Sequence, residues 1–423
     1  MSRSITKFRK LFWALLIRGS VMGVQFAVSI LVALVAGPFG SGVYGIYNAW
    51  LAIFNGVAGL GAYTHALRTV SILKESGSSS SIRHYLVRLI NLVLIVSFSL
   101  GLALILFNSQ IAERFLGDPE LDYVILFAVI SGALTILVKI GAESLKGLDR
   151  VNTALVIEWV IVPLMMLMTL STALLSEYGL SMYMLLALRT IFLLGIAILI
   201  FEVVRHVLRA SSLKGDARGS VSLSVLAPFW GSEVTIVWFM NIPYIVLPYF
   251  ATTEDIGLFS VAQKLILTAT SVLVVLSSIY GPKIARAYES DDLKSVSRLL
   301  RQTQGFALGL YSPVFVIFCV YPQWVMSLFG EEFVAGSPLL VYMAVGQFFA
   351  VFCGLGDFTL HMMGRERLFF KINIGTTLLL VLLCFLVGPV WGVEGVAFAF
   401  AVVIALKQLG GYLGAVSCLR SQS

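Results

Sequence analysis

Arg18, Lys139, Glu143, Glu158, Arg189, Glu233, Lys264, Asp357 and Lys407 all stand inside long apolar runs. A charge left facing hydrocarbon costs ~2.5 to 3.5 kcal/mol even on the lenient insertion scale, so each of these groups needs a partner, water or a cargo. The cations suit one chemistry: Arg or Lys in a low-dielectric cavity can hold an anionic group, Arg through two parallel bonds. The carboxylates suit another, the uptake and release of a proton or sodium ion, with Glu233 as the first candidate and Asp357 as the second. Plainer alternatives stand beside these. Lys139 and Glu143, four residues apart, fit an internal ion pair as well as a function. Glu158 and Lys371 lie near span ends and fit snorkelling toward the headgroups. Asp357 and His361, also at i and i+4, fit a proton relay or a hydrated helix end.

Helical spacing shows which neighbours share a face with these charges. Arg18, Gln25 and Ser29 recur at i, i+7 and i+11 in the first apolar run, and Ser260, Lys264, Thr268, Ser271 and Ser278 line the eighth. Glu233, Asn241 and Tyr244 share a face of the seventh, where Pro243 removes a backbone donor and predicts a bend. Asn48 and Asn55 share a face of the second. Tyr44, Tyr47, Trp50 and Tyr244 offer rings on which sugars stack, while Tyr44 and Tyr47 also fit the aromatic belt of a membrane interface.

The elements that carry these stripes are membrane helices. The 423 residues are 59% hydrophobic and 12% charged, with a mean hydropathy of +0.96, far from the ~25% charged of soluble domains. A bilayer core ~30 Å thick needs ~20 apolar residues per helix, and about twelve such stretches can be marked. They are 11–36, 43–66, 86–107, 122–145, 152–175, 180–204, 223–250, 257–281, 304–322, 338–363, 369–388 and 393–418. The first follows a basic start but runs on without a small-residue cleavage site, so it is expected to be a retained span. Cys319, Cys353, Cys384 and Cys418 lie far apart without C-x-x-C or His partners; they read as core filling, and no metal or cofactor is expected.

On this alternation most of the 29 basic residues fall on one side, while the opposite loops hold Arg114 beside Glu113, Asp118 and Glu120. Cytoplasmic loops carry such an excess, so both termini are expected there. The +7 net charge then reflects topology and attraction to anionic lipid. Its dispersal over many short loops argues against nucleic acid as a partner.

The stretch RHVLRASSLKGDARGS at 205–220 combines charge, Gly and Ser near the midpoint. It reads as a cytoplasmic linker, 205–222, between an N-terminal six-helix lobe, 1–204, and a C-terminal six-helix lobe, 223–423. VYGIYNAWL and DIGLFSVAQKL echo each other half a chain apart, matching Gly45 to Gly257 and Tyr47 to Phe259. LKGLDR (145–150) and MMGRER (362–367) form a second echo, each with Gly three residues before Arg. Their similar separation favours a duplicated architecture, with parallel repeats because each half starts and ends on the same face.

AGPFGSGVYGIY (36–47), DIGLFSVAQKL, LFGEEFVAGSPLL, MMGRERL and GVEGVAFAF together resemble Wzx-type polysaccharide flippases of the multidrug/oligosaccharidyl-lipid/polysaccharide exporter superfamily, over nearly the whole chain. The resemblance implies an all-α integral membrane protein of twelve transmembrane helices in two pseudo-symmetric six-helix lobes, a MATE-like flippase fold. It implies a transporter rather than an enzyme: an alternating-access flippase moving undecaprenyl-diphosphate-linked oligosaccharide from the cytoplasmic to the periplasmic leaflet of the bacterial inner membrane, for O-antigen, capsule or exopolysaccharide. Spans one, two, seven and eight face the cleft in such proteins. That would bring Arg18, Gln25, Asn55, Asn241, Tyr244, Lys264 and Thr268 to the cargo. Arg18 and Lys264 are the expected diphosphate contacts, with Arg189 as a third, and Glu233 and Asp357 the expected ion-coupling groups. Membrane lipids, a polysaccharide polymerase and a chain-length regulator are the implied partners. Two alternatives stay open. A cation-coupled multidrug antiporter of the same fold is supported by Glu233, Glu158 and Asp357. A membrane glycosyltransferase or polymerase is disfavoured by the short outer loops near 108–121 and 323–337.

Overall fold

Backbone amides in a bilayer have no water to bond, so apolar runs of this length satisfy them internally as helices. The computed structural model describes residues 2–75, 79–113, 121–175, 181–210 and 223–422, which are helices joined by short turns and contain no strand. Among the described residues, eight helices are long and apolar enough to cross a membrane. Two of them, Gly23–Ala58 and Arg367–Leu419, are each broken by one glycine, Gly37 (φ 62°, ψ −166°) and Gly392 (φ 55°, ψ −134°). Each break therefore separates two of the expected spans. The expected multi-residue outer turn at 37–42 is instead a single-residue kink, and the helix resumes at Pro38, whose missing amide hydrogen costs nothing in a first turn.

Other spans are subdivided. The run at 257–281 is Thr253–Ala269 followed by Ser271–Glu289, and 338–363 is Ser337–Phe352 followed by Gly356–Met362. Pro243 falls in the last turn of Leu223–Val246, after which the chain leaves through a 3-10 turn at Leu247–Tyr249. The proline accompanies a helix end, not the mid-span bend its position in the run predicts. From 211 onward the linker at 205–222 lies outside the described residues.

Packing divides the chain into two compact units, Val43–Ile245 and a second made of Met1–Gly42 with Val246–Ser423. The halves of the sequence and the units of packing thus differ: the helix before Gly42 joins the C-terminal unit and the helix up to Ile245 joins the other. In the C-terminal unit the reason is a backbone contact. A Cβ on Gly42 would collide with the Thr253 carbonyl, and one on Gly257 with the Pro38 carbonyl, so only glycine allows the two segments to meet this closely. The Ser260 hydroxyl adds a bond to the Ser41 carbonyl at 3.3 Å. Thr252 and Asp255 close a reciprocal capping box that fixes where the second of these helices starts. Asp292 caps Leu293–Val320 through the Ser295 amide at 3.0 Å, and its bonds to Ser295 hold its carboxyl below the usual range.

In the other unit Asp122–Gly147 is the central helix, packed against Ala62–Glu75 and Met182–Ala210. The outer faces expose large apolar residues, Phe98 at 71% and Val390 at 74% among them, as a lipid-facing surface requires.

The paired turns share one cap. Arg150 N–H bonds the Leu145 carbonyl at 2.9 Å, and Arg365 N–H bonds the Leu360 carbonyl at 3.0 Å. The left-handed residues that close them are Asp149 (φ 62°) and Gly364 (φ 68°). The match therefore aligns Asp149 with Gly364, two residues away from the alignment that the glycines suggest, because the cap is defined by backbone conformation.

Candidate functional site

In the unit Val43–Ile245, Thr190 ties Met182–Ala210 to Asp122–Gly147 through the Ser131 hydroxyl at 2.8 Å. That bond fixes the rotation of the helix and aims the neighbouring Arg189 at the segment after Val43. There Arg189 Nη1 donates to the Tyr44 hydroxyl and to Asn48 Oδ1, both at 2.8 Å. Asn48 Nδ2 is occupied by the Tyr44 carbonyl at 2.7 Å, which leaves its oxygen as the end that faces the cation. The guanidinium carbon lies 5.2 Å from the Tyr44 ring centre and 4.9 Å from that of Tyr47, within cation–π range. The two rings are nearly parallel, 6.2 Å apart at 24°.

Two features make this a site rather than a tie. Arg189 Nε is buried without a hydrogen-bond partner. Among the described residues no carboxylate lies within ion-pair distance of Arg189. Asn55, two turns further along the face of Asn48, is buried with Oδ1 unpaired. Trp230 Nε1 bonds the Val57 carbonyl at 3.1 Å, and Val237 packs on Gly56, so Leu223–Val246 lies against this segment. Asn241 Nδ2 is taken by the Val237 carbonyl at 2.7 Å, and Tyr244 is buried.

The other expected residues belong to the second unit. Gln25 and Lys264 are half-buried. The Thr268 hydroxyl bonds the Lys264 carbonyl in its own helix at 2.8 Å, so it is already satisfied. Asp357 Oδ1 is buried without a hydrogen-bond partner, and Asp357 feels the buried Lys407 electrostatically. The side chains of Arg18, Glu233 and His361 lie outside the described residues.

Three of the plainer readings change. Glu143 pairs with Lys146 at 2.6 Å, not with Lys139, because i+3 on this helix brings the Lys146 amine to it while Lys139 Nζ lies over the Tyr63 ring at 4.9 Å. Lys146 also bonds Glu158 at 3.0 Å; with its side chain 8% exposed, Glu158 does not snorkel. Glu158 sits on a π-helical turn, Val156–Val160, just ahead of Pro163, which cannot donate to the Trp159 carbonyl. Tyr47 is fully buried, so it does not belong to an interfacial belt. Asn48 and Asn55 were legible as a shared face, but Arg189, the partner of Asn48 some 140 positions away in sequence, leaves no mark in local spacing.

The family whose description is polysaccharide biosynthesis protein matches residues 8–287, well over half of the chain. No curated protein matches the sequence. Among solved structures, an inward-facing multidrug resistance MATE family transporter of the MOP superfamily superposes with a TM-score of 0.77 at 12% identity, over 96% of this chain and 95% of that one. VcmN, a MATE transporter of Vibrio cholerae, in its bent form, gives 0.60 at 15% identity over 100% and 98%. A MOP superfamily transporter from Pyrococcus furiosus, described as having a binding pocket of reverse polarity that suggests a different function, gives 0.64 at 14% over 96% and 94%. At these identities the likeness speaks for the fold. The long apolar helices and the MATE-like architecture accord with the sequence match: the chain belongs to the polysaccharide biosynthesis protein family and has a multi-pass membrane fold.

Proposed function

We propose that the chain is an alternating-access flippase that moves an undecaprenyl-diphosphate-linked oligosaccharide from the cytoplasmic to the periplasmic leaflet of the bacterial inner membrane, with both termini cytoplasmic, during synthesis of O-antigen, capsule or exopolysaccharide. The observation that carries this reading is Arg189. Its guanidinium is held by neutral oxygens, keeps a buried N–H to donate, and meets no carboxylate among the described residues. Such a group attracts an anion and repels a cationic drug. Tyr44 adds a ring and Asn55 an unpaired amide oxygen, contacts of the kind that sugars use, while buried Tyr47 backs the guanidinium.

Arg18 and Lys264 are further proposed diphosphate contacts. Gln25, Asn241, Tyr244 and Thr268 are proposed for the sugars, and Glu233 and Asp357 for ion coupling. A polymerase and a chain-length regulator are the proposed downstream partners. The Pyrococcus furiosus protein, described as having a binding pocket of reverse polarity, supports the idea that one fold carries pockets of different polarity.

The test is binding of a short-chain polyprenyl-diphosphate sugar and of a cationic dye to the purified protein. Loss of a charge-assisted bond is worth ~1.5 to 3 kcal/mol, so Arg189→Ala should weaken the diphosphate lipid about 10- to 150-fold. Dye binding together with no affinity for the diphosphate lipid would replace this reading with a multidrug antiporter.

A further inference from the structure

Two recesses of the C-terminal unit lie end to end along one helix. The first, about 540 Å³, is apolar, lies between Ser337–Phe352 and the helix after Gly392, and is lined by Phe349, Phe352, Phe398, Ala401, Ala405 and Leu409. Its volume is that of a small-molecule site, roughly 300 to 1,000 Å³. The second, about 680 Å³, lies between the start of Leu293–Val320 and the end of the same terminal helix; Lys294, Arg298 and Arg301 line it beside Tyr412, Val416 and Leu419.

The two recesses share one helix face. Positions 398, 402, 405, 409, 412, 416 and 419 step by three and four, which makes them one ridge of the terminal helix. At 1.5 Å per residue the ridge is about 31 Å long, the depth of the bilayer core. Where Ser337–Phe352 ends, Gln304 donates to the Cys353 carbonyl at 3.4 Å, so Leu293–Val320 takes over as the facing wall. The walls differ in chemistry. Phe349 and Phe352 are more than half exposed. Lys294, Arg298 and Arg301, at i, i+4 and i+7, are exposed on one face of their helix, and among the described residues no carboxylate lines their recess. The adjoining Asp292 carboxylate is engaged by the Ser295 amide at the helix cap.

We infer that this groove holds one anionic phospholipid of the bilayer, its phosphate on Lys294, Arg298 and Arg301 and an acyl chain along the Phe349–Leu409 recess. The charge excess sits at one end and the apolar lining at the other, over the length of one leaflet and more. Basic pockets between membrane helices take lipid headgroups in this manner. The site is separate from Arg189 and stands whether or not the flippase reading does.

Native mass spectrometry and thermal unfolding of the full chain in detergent, titrated with phosphatidylglycerol, test it. A one-to-one adduct and a raised unfolding midpoint are expected, with phosphatidylcholine much weaker. Each basic residue near an anionic surface is worth about fivefold, so Lys294→Ala/Arg298→Ala/Arg301→Ala should cost on the order of a hundredfold. Ala405→Phe should also displace the lipid by filling the apolar recess. Arg365→Ala/Arg367→Ala/Lys371→Ala, at another basic recess, should leave the affinity unchanged. Four results would overturn the inference: unchanged affinity in the first triple variant, unchanged affinity in Ala405→Phe, equal loss in the second triple variant, or full stabilisation by tail-less glycerol phosphate. Preferential displacement by a polyprenyl diphosphate would do so as well, by assigning the groove to a different lipid.

Discussion

Lys146→Met removes the cation that two carboxylates share. In the native protein its amine is 2.6 Å from Glu143 and 3.0 Å from Glu158, and the three side chains are 18%, 17% and 8% exposed. Glu143 belongs to the same helix, so its bond organises one helix end; Glu158 belongs to the next span, so its bond ties two helices. Breaking a buried pair by deleting one partner costs ~3 to 5 kcal/mol, because the survivor stays desolvated and unpaired. The sixth of each side chain that reaches solvent at Lys146 and Glu143 puts the expected loss near the lower figure, about 3 kcal/mol. Glu143→Gln and Glu158→Gln added to Lys146→Met should recover most of that loss, since neutral amides carry no stranded charge. The assay is thermal unfolding in detergent, with hydrogen exchange to localise the opening to 143–175. A Lys146→Met variant as stable as the parent, or a triple variant no better than the single one, would refute the reasoning.

Asn48→Asp should place a carboxylate on Arg189. At an effective dielectric near 20, a unit pair 4 Å apart attracts by about 4 kcal/mol, so affinity for a polyprenyl diphosphate measured by equilibrium binding should fall at least a hundredfold. Gly42→Ala drives a methyl group into the Thr253 carbonyl and should cost about 1 to 3 kcal/mol as an overpacked contact, read as a lower unfolding midpoint; Gly23→Ala, which meets nothing within 4 Å, should not. Thr252→Val breaks the capping box and should cost about 1 kcal/mol, visible as faster hydrogen exchange in the first turn of Thr253–Ala269. Asp357→Asn and Glu233→Gln should each remove the dependence of reconstituted transport on an ion gradient while leaving cargo binding intact, and unchanged gradient dependence would exclude that residue from coupling.

Much of the fold was legible because a bilayer imposes a length and a polarity that composition records directly. Each expected span is largely helical, though several, such as 43–66 and 257–281, are divided by a turn. The boundaries that were missed depend on single backbone conformations: Gly37 and Gly392 break continuous helices, and Asp149 takes the left-handed position that a neighbouring glycine advertised. The candidate site was legible only in part. A stripe at helical spacing names a face, which is how Asn48 and Asn55 were found together. It does not name what lies across from that face, so the partners of Arg189, Lys139 and Glu158 had to come from packing. Which segments share a unit was also hidden, because the contact of Gly42 with Thr253 and Gly257 depends on the absence of side chains.

The choice of holders for Arg189 bears on why a membrane protein would keep so expensive a group. A carboxylate would satisfy the guanidinium and cancel its field, and a phosphate would then have to displace an ion pair to bind. Tyr44 and Asn48 offer dipoles instead: they fix the position of the cation through two bonds at 2.8 Å, and among the described residues no acid pairs with it. The rings of Tyr44 and Tyr47 stabilise the same charge without contributing one of their own. The arrangement therefore spends some stability to keep an attraction in reserve, and an anion that enters recovers it. A cationic drug would meet the opposite sign. The same physical argument reads the polarity of such a site by asking whether its buried cation is held by dipoles or by acids.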